Sequence, residues 1–264
     1  MVDLSKYFTE DKVTYAAQKI VLYNFDESKS AEFIKEMMVP IRNAYISDKK
    51  IKKIEEHYKR SRAEIIGKRL PDTASITSGD FGEILIFYLA QQTFASNATV
   101  TPMKWRLKDD KTKASPKTDV MLFYVPDLDV PSKDDTLYSI EVKTLASHPY
   151  GKKCSILEAV KGADNDRTSR AAETIVYLLT RLEDKMAPLE LYNGVKRFEK
   201  PYYDTCKKVF NAVAVVEKEY LIKHIAHIPS DMWTKYLGID IYCLPIKQLG
   251  KIYKKIYKQI PTQA

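Results

Sequence analysis

Between Lys117 and Lys143 the chain runs KTDVMLFYV, then PDLDVPSKDD, then TLYSIEVKT. Two runs rich in Val, Tyr, Phe, Leu and Ile around a segment crowded with Pro, Asp and Ser predict two strands joined by a turn region. The simplest pairing is antiparallel. Folded back at about Val130, the pair sets Asp119, at the start of the first strand, beside Glu141 and Lys143, at the end of the second. Glu141 and Lys143 are two apart and share a face. A carboxylate pair can hold a hard divalent cation whose shell is completed by waters and substrate phosphate, and the neighbouring amine can orient a water. That set of groups suits phosphodiester hydrolysis.

The spacing by itself is weak. Asp or Glu, any residue, then Lys occurs six times, beginning at Glu10, Glu27, Asp48, Asp109, Glu141 and Glu183. In a Lys-rich chain most such pairs are solvated charges. Glu141 differs from the other five because it closes an apolar strand, LYSIEV, and has an Asp at the start of the strand expected to pair with it. Read structurally, the same three residues make an ion pair and a solvated charge.

The length of 264 residues allows one large domain or two small ones, and 45% hydrophobic with 11% aromatic content is enough to bury a core. The net charge of +8 and pI near 9.1 suit a polyanionic partner, while Lys-rich surfaces also serve solubility. Cys154, Cys206 and Cys243 show no CxxC spacing, so neither a disulfide framework nor a zinc site is indicated, and a reducing cytoplasm fits. The start of the chain, MVDLSKYFTEDK, has no apolar signal-peptide core, and no apolar run approaches the roughly 20 residues of a membrane span. His57, His148, His224 and His227 form no metal-ligand spacing; the i, i+3 pair His224 and His227 reads as ordinary packing. With eight glycines there is no phosphate-cradling loop, and no GxSxG is present.

The elements that would position the three residues follow from periodicity. KIVLYNF (19–25) predicts a strand, and apolar spacings of three and four over 30–45 predict an amphipathic helix. Residues 49–70 form a strongly basic helical stretch whose face is either solvated or a phosphate-binding surface. TSGDFGEILIFYLAQQTF (77–94) predicts a helix capped by Thr77 or Ser78, with Asp80 in its first turn and Phe81, Ile84, Leu85, Tyr88 and Leu89 buried. Glu83 interrupts that stripe. The helix dipole accounts for a carboxylate there, and so does a place facing the acidic end of the hairpin. Beyond it, 98–107 reads as a strand, 155–185 as a long helix with a break near Gly162, and FNAVAVV (210–216) as a strand covered on both faces. A short helix over 219–228, a strand over 239–244 and a basic helix over 246–260 complete the chain.

Residues 77–216 thus read helix, strand, strand, strand, helix, strand. With Asp119 on the second strand and Glu141-x-Lys143 on the third, the chain resembles the PD-(D/E)XK nuclease superfamily, although Thr118 stands where its name has Pro. The resemblance implies an α/β restriction-endonuclease-like core over 76–264, ending in a strand and a basic helix, with residues 1–75 as an N-terminal strand and helical extension. It also implies Mg2+, replaceable by Mn2+, on Asp119 and Glu141, a water-positioning or charge-stabilising Lys143, and Glu83 as the acidic residue of the first core helix. GDFGEIL, KTDVMLF and IEVKT, followed by a helix bearing Asp and Arg, are similar to the nuclease subunit of the Hachiman antiphage system. That implies a cytoplasmic, metal-dependent deoxyribonuclease working with a helicase, with residues 161–170 and the N-terminal helices as candidate contacts to the helicase or DNA. The competing readings are a stand-alone restriction or repair endonuclease with the same site, and a non-catalytic nucleic-acid-binding or protein-interaction module.

Overall fold

The computed structural model describes residues 2–15, 18–113, 117–151 and 154–263. Strands β1 (Phe8–Tyr15) and β2 (Gln18–Phe25) pair antiparallel and lead into helices α1 (Ser30–Tyr45), α2 (Asp48–Tyr58), α3 (Arg62–Gly67) and α4 (Ala74–Ala90). Strands β3 (Val120–Tyr124) and β4 (Thr136–Leu145) form the expected hairpin, followed by α5 (Ser155–Asn165) and α6 (Ala171–Asp184). Short helices α7 (Leu189–Lys196) and α8 (Tyr202–Thr205) precede β5 (Lys207–Glu217). Helices α9 (Leu221–Ala226) and α10 (Met232–Lys235) precede β6 (Ile239–Ile246), and α11 (Leu249–Gln263) is last.

The strands make one six-stranded sheet in the order β1-β2-β6-β5-β4-β3. Its interior pairs, β2 with β6, β6 with β5 and β5 with β4, are parallel, and an antiparallel partner closes each flank. Strands from residues 1–75 and from 76–264 therefore share a sheet. Alternation along the central strands fills two cores. Ile140, Val142, Val213 and Val215 face α1, α4 and α11, while Leu137, Ala212, Ala214 and Val216 face α5, α6 and α7. Among the described residues no helix is long and apolar enough to cross a membrane.

Several expectations are corrected. Residues 98–107 are not a strand: Val100 makes a single antiparallel bridge to Phe123, and Lys104–Leu107 turn into a 3-10 helix. Pro102 lacks the N–H that would extend the ladder. The order helix, strand, strand, strand, helix, strand is thus realised without its first strand, and what stands is a mixed α/β fold around a six-stranded sheet. The basic stretch is two helices, because Lys59 caps α2 in the left-handed region at φ 53°. Helix α4 begins at Ala74, and Thr77 bonds back to the Thr73 carbonyl instead of capping. From Asp80 to Ala90 every residue of α4 is buried, as for a helix apolar all round and packed on every side. The long helix does not break at Gly162. A π turn, Asp166–Arg170, joins α5 to α6 instead.

Candidate active site

The register of the hairpin pairs Val120 with Ile140, so one step further out Asp119 stands opposite Glu141. Asp119 Oδ2 accepts a hydrogen bond from the Val142 N–H at 2.9 Å, which pins it to β4. Glu141 and Lys143 lie on the α5 face of β4, and the lysine ammonium bonds Glu141 Oε1 directly. These three are together as the sequence predicts, and Glu83 of α4 reaches the same edge from the other face of the sheet.

Two glycines permit this convergence. A Cβ on Gly162 would fall 2.5 Å from the Glu141 carboxyl, so the glycine lets α5 approach β4 closely at that point. A Cβ on Gly82 would fall 1.9 Å from Thr144 Oγ1, so the glycine before Glu83 seats α4 on the opposite face of the same strand.

Besides Lys143, two cations organise the carboxylates. Lys104, from the 3-10 turn, places Nζ 3.1 Å from Glu83 Oε2 and 3.7 Å from Asp119 Oδ1, and donates to the Thr118 carbonyl at 3.1 Å. Trp105 donates its indole N–H to the same Glu83 oxygen at 3.2 Å. On the far side Arg170 reaches Glu141 Oε2 at 2.5 Å and the Gly162 carbonyl at 2.8 Å, while its Nε bonds Asp166. Asp166, fully buried, is held further by Thr118 at 3.0 Å and Ser139 at 2.9 Å. The π turn aims both Asp166 and Arg170 inward, a local irregularity often found at functional sites.

Sequence reasoning missed Lys104, Asp166 and Arg170. The first lies in the stretch read as a strand; the other two lie in the strip 161–170 assigned to partner contacts. Asp166, Gly162 and Ala163 are buried, and Arg170 belongs to the site. That strip therefore offers Lys161, Asn165, Arg167, Thr168 and Ser169 to the outside, not its whole length. The i, i+4 spacing of Asp166 and Arg170 was the available signal.

The surroundings of the carboxylates resist their ionisation. Burial, then repulsion from Asp119, pushes the Glu141 carboxyl up to about 7. Burial also pushes Glu83 up, against the pull of Lys104 and with the Asp119 charge adding to it. Burial pulls the Lys143 ammonium down, but Glu141 and Asp119 outweigh it, so the lysine is held protonated. Among the described residues no group of three or more His, Cys, Asp or Glu side chains converges as a ready metal cage. Asp119 and Glu141, opposed across two strands, fit a hard ion that takes one or two carboxylates and keeps its waters.

GDFGEIL, KTDVMLF and IEVKT thus meet at one edge of the sheet. The HamA family model matches residues 4–260. This chain belongs to the HamA family. The match runs from the 3-10 turn before β1 to the last turns of α11, so the N-terminal hairpin and the basic final helix are part of the HamA unit. It bears out the likeness to a Hachiman component, and HamA membership points to a role in antiphage defence. No curated protein matches the chain.

Proposed function

We propose that this chain is a metal-dependent nuclease that hydrolyses DNA phosphodiester bonds, the effector of an antiphage defence complex with a helicase partner. The observation that supports this best is the placement of Asp119 opposite Glu141 with a protonated Lys143 between the site carboxylate and solvent. Asp119 and Glu141 would hold Mg2+ or Mn2+, which supplies charge neutralisation at the phosphate and acidifies its water. Lys143 stabilises the negative charge that develops on the phosphoryl oxygens, since an ammonium held protonated donates rather than abstracts a proton. Glu83 and Lys104 orient Asp119 from behind. Arg170 fixes Glu141 so that its carboxylate keeps one direction.

One observation favours the competing reading, a non-catalytic interaction module: both Glu141 oxygens already carry a cationic partner, Lys143 on one and Arg170 on the other. The two readings separate in one experiment. The purified chain, alone and with its helicase partner, is given DNA with Mg2+ and with EDTA, and Mn2+ binding is followed by calorimetry. Cleavage that requires the cation, together with a Mn2+ signal lost in Asp119→Ala, supports the nuclease. Undiminished cleavage in EDTA, or no metal signal at all, removes it.

A further inference from the structure

Behind the carboxylate site lies a small polar recess of about 80 Å3 that opens to solvent. Five of its nine lining residues are Lys or Arg and two are Asp. Both acids are already neutralised: Asp80 grips the Lys108 ammonium at 2.7 and 2.8 Å, and Asp109 is bridged by Arg181 at 2.7 Å and Lys185 at 2.9 Å. Lys111 pairs with Asp72 at 2.7 Å. Lys68 and Arg69, exposed just past α3, and Arg106 have no salt-bridge partner among the described residues. Arg106 forks onto the Asn43 carbonyl through Nε and Nη2 at 2.8 and 2.6 Å, which holds its guanidinium plane in place.

The floor of the recess is rigid. Tyr45 of α1 donates to Asp80 of α4 at 2.7 Å and lies 2.9 Å from the Tyr257 hydroxyl of α11, so three helices lock together beneath it. One wall is Trp105, the same side chain whose indole bonds Glu83. The recess and the carboxylate site are therefore the two sides of one residue.

We infer that this recess binds a backbone phosphate of the nucleic-acid strand, one that neighbours the phosphate reaching Asp119, Glu141 and Lys143. The inference rests on the nuclease reading above. Uncompensated Lys and Arg in a shaped recess are the chemistry of phosphate recognition, with the planar guanidinium suited to paired oxygens. Such contacts fix register without reading bases. The two basic segments that form the recess, GKRLPD and WRLKDDK, also continue the positive run of α2 and α3 up to the site.

The test is binding, not cleavage, so it stands apart from the nuclease reading. A labelled single-stranded oligonucleotide is titrated in EDTA across a salt series with the wild-type chain, with Lys68→Gln/Arg69→Gln, and with Lys133→Gln/Lys207→Gln as a charge-matched control at the hairpin-tip end of the sheet. The recess variant should lose affinity and flatten the log-log salt slope by about 1.4, two contacts at about 0.7 each for single strands, while the control keeps the wild-type slope. An unchanged slope in the recess variant overturns the inference, including where inorganic phosphate still raises the wild-type Tm, because the recess then serves a free anion. Equal loss in the control overturns it as well, by reducing the effect to net charge. A wild-type chain that fails to cut, alone and with its partner, but shows the recess-specific slope removes the nuclease reading and with it the tie to the carboxylate site, while phosphate binding at the recess stands.

Discussion

Arg170 lays Nη2 2.5 Å from Glu141 Oε2 while its Nε meets Asp166, so a single guanidinium on a π turn ties the site carboxylate to the helix behind it. Glu141 is 2% exposed and Asp166 0%; Asp166 takes its charge compensation from this arginine, and Glu141 shares it between Arg170 and Lys143. Removing one partner of a buried network leaves uncompensated charge, which costs about 3–5 kcal/mol.

Arg170→Ala should therefore destabilise the fold by that amount in urea unfolding. Adding Asp166→Asn should restore part of it, because the amide keeps its bonds to Thr118 and Ser139 without a charge. An Arg170→Ala protein within about 1 kcal/mol of wild type would show the network to be energetically idle.

Stability should also depend on pH in a direction set by the site. Burial, with the Asp119 charge adding to it, holds Glu141 up to about 7 and Glu83 up to about 8, against an ordinary value of 4.5. The folded state then binds these protons more tightly than the unfolded chain. The stabilisation is complete below about pH 4.5 and is lost as pH rises through 7 and 8. Between pH 5 and 8 in EDTA the Tm should fall. An ion competing for the same carboxylates reverses the trend, so the Tm increase on adding Mg2+ should be larger at pH 8 than at pH 6. A Tm in EDTA that climbs over this range would contradict the assignment of raised carboxylates.

The central trio was legible because strand alternation and hairpin register are local properties: the Val130 fold point alone puts Asp119 opposite Glu141. Lys104 was hidden because its placement depends on Pro102 ending a strand that the residue types favoured. Arg170 and Asp166 were hidden because the face a residue presents shifts at a π turn, which periodicity of 3.6 does not anticipate. Strand β1 was missed because Thr9, Glu10, Asp11 and Lys12 are exposed polar residues on an edge strand, so no apolar run marks it. Its partner, the apolar β2, was found from its own composition.

The glycine contacts predict a specific rescue. Gly82→Ala drives a methyl to 1.9 Å from Thr144 Oγ1, so Thr144 and α4 are forced apart, and a lift of α4 carries Glu83 with it. Overpacking of this kind costs about 1–3 kcal/mol, and cleavage should fall with it. Because the atom met is a side-chain hydroxyl, Thr144→Ala in the same chain should restore most of both. Gly162→Ala meets the Glu141 carboxyl itself at 2.5 Å, and no tolerated change at Glu141 should rescue its activity. If Gly82→Ala alone matches wild type in Tm and cleavage, the close approach of α4 to β4 does not position the site.

The sharpest division lies between the carboxylates and the lysine. Asp119→Asn and Glu141→Gln should each lose metal affinity and cleavage together, because a neutral amide does not offset the ion's charge. Lys143 has no place among the metal donors, and its side chain is 38% exposed, so Lys143→Ala leaves no cavity and should fold with a near-native Tm. Its cleavage should drop by a factor on the order of 100 or more, the cost of removing a group that stabilises transition-state charge. Its affinity for Mn2+ should stay level or rise, because an ammonium bonded to Glu141 Oε1 no longer opposes the ion. Calorimetry and a DNA-nicking assay on the same three proteins measure both quantities. A Lys143→Ala chain that folds and cuts at the wild-type rate would rule out this site as the place of hydrolysis.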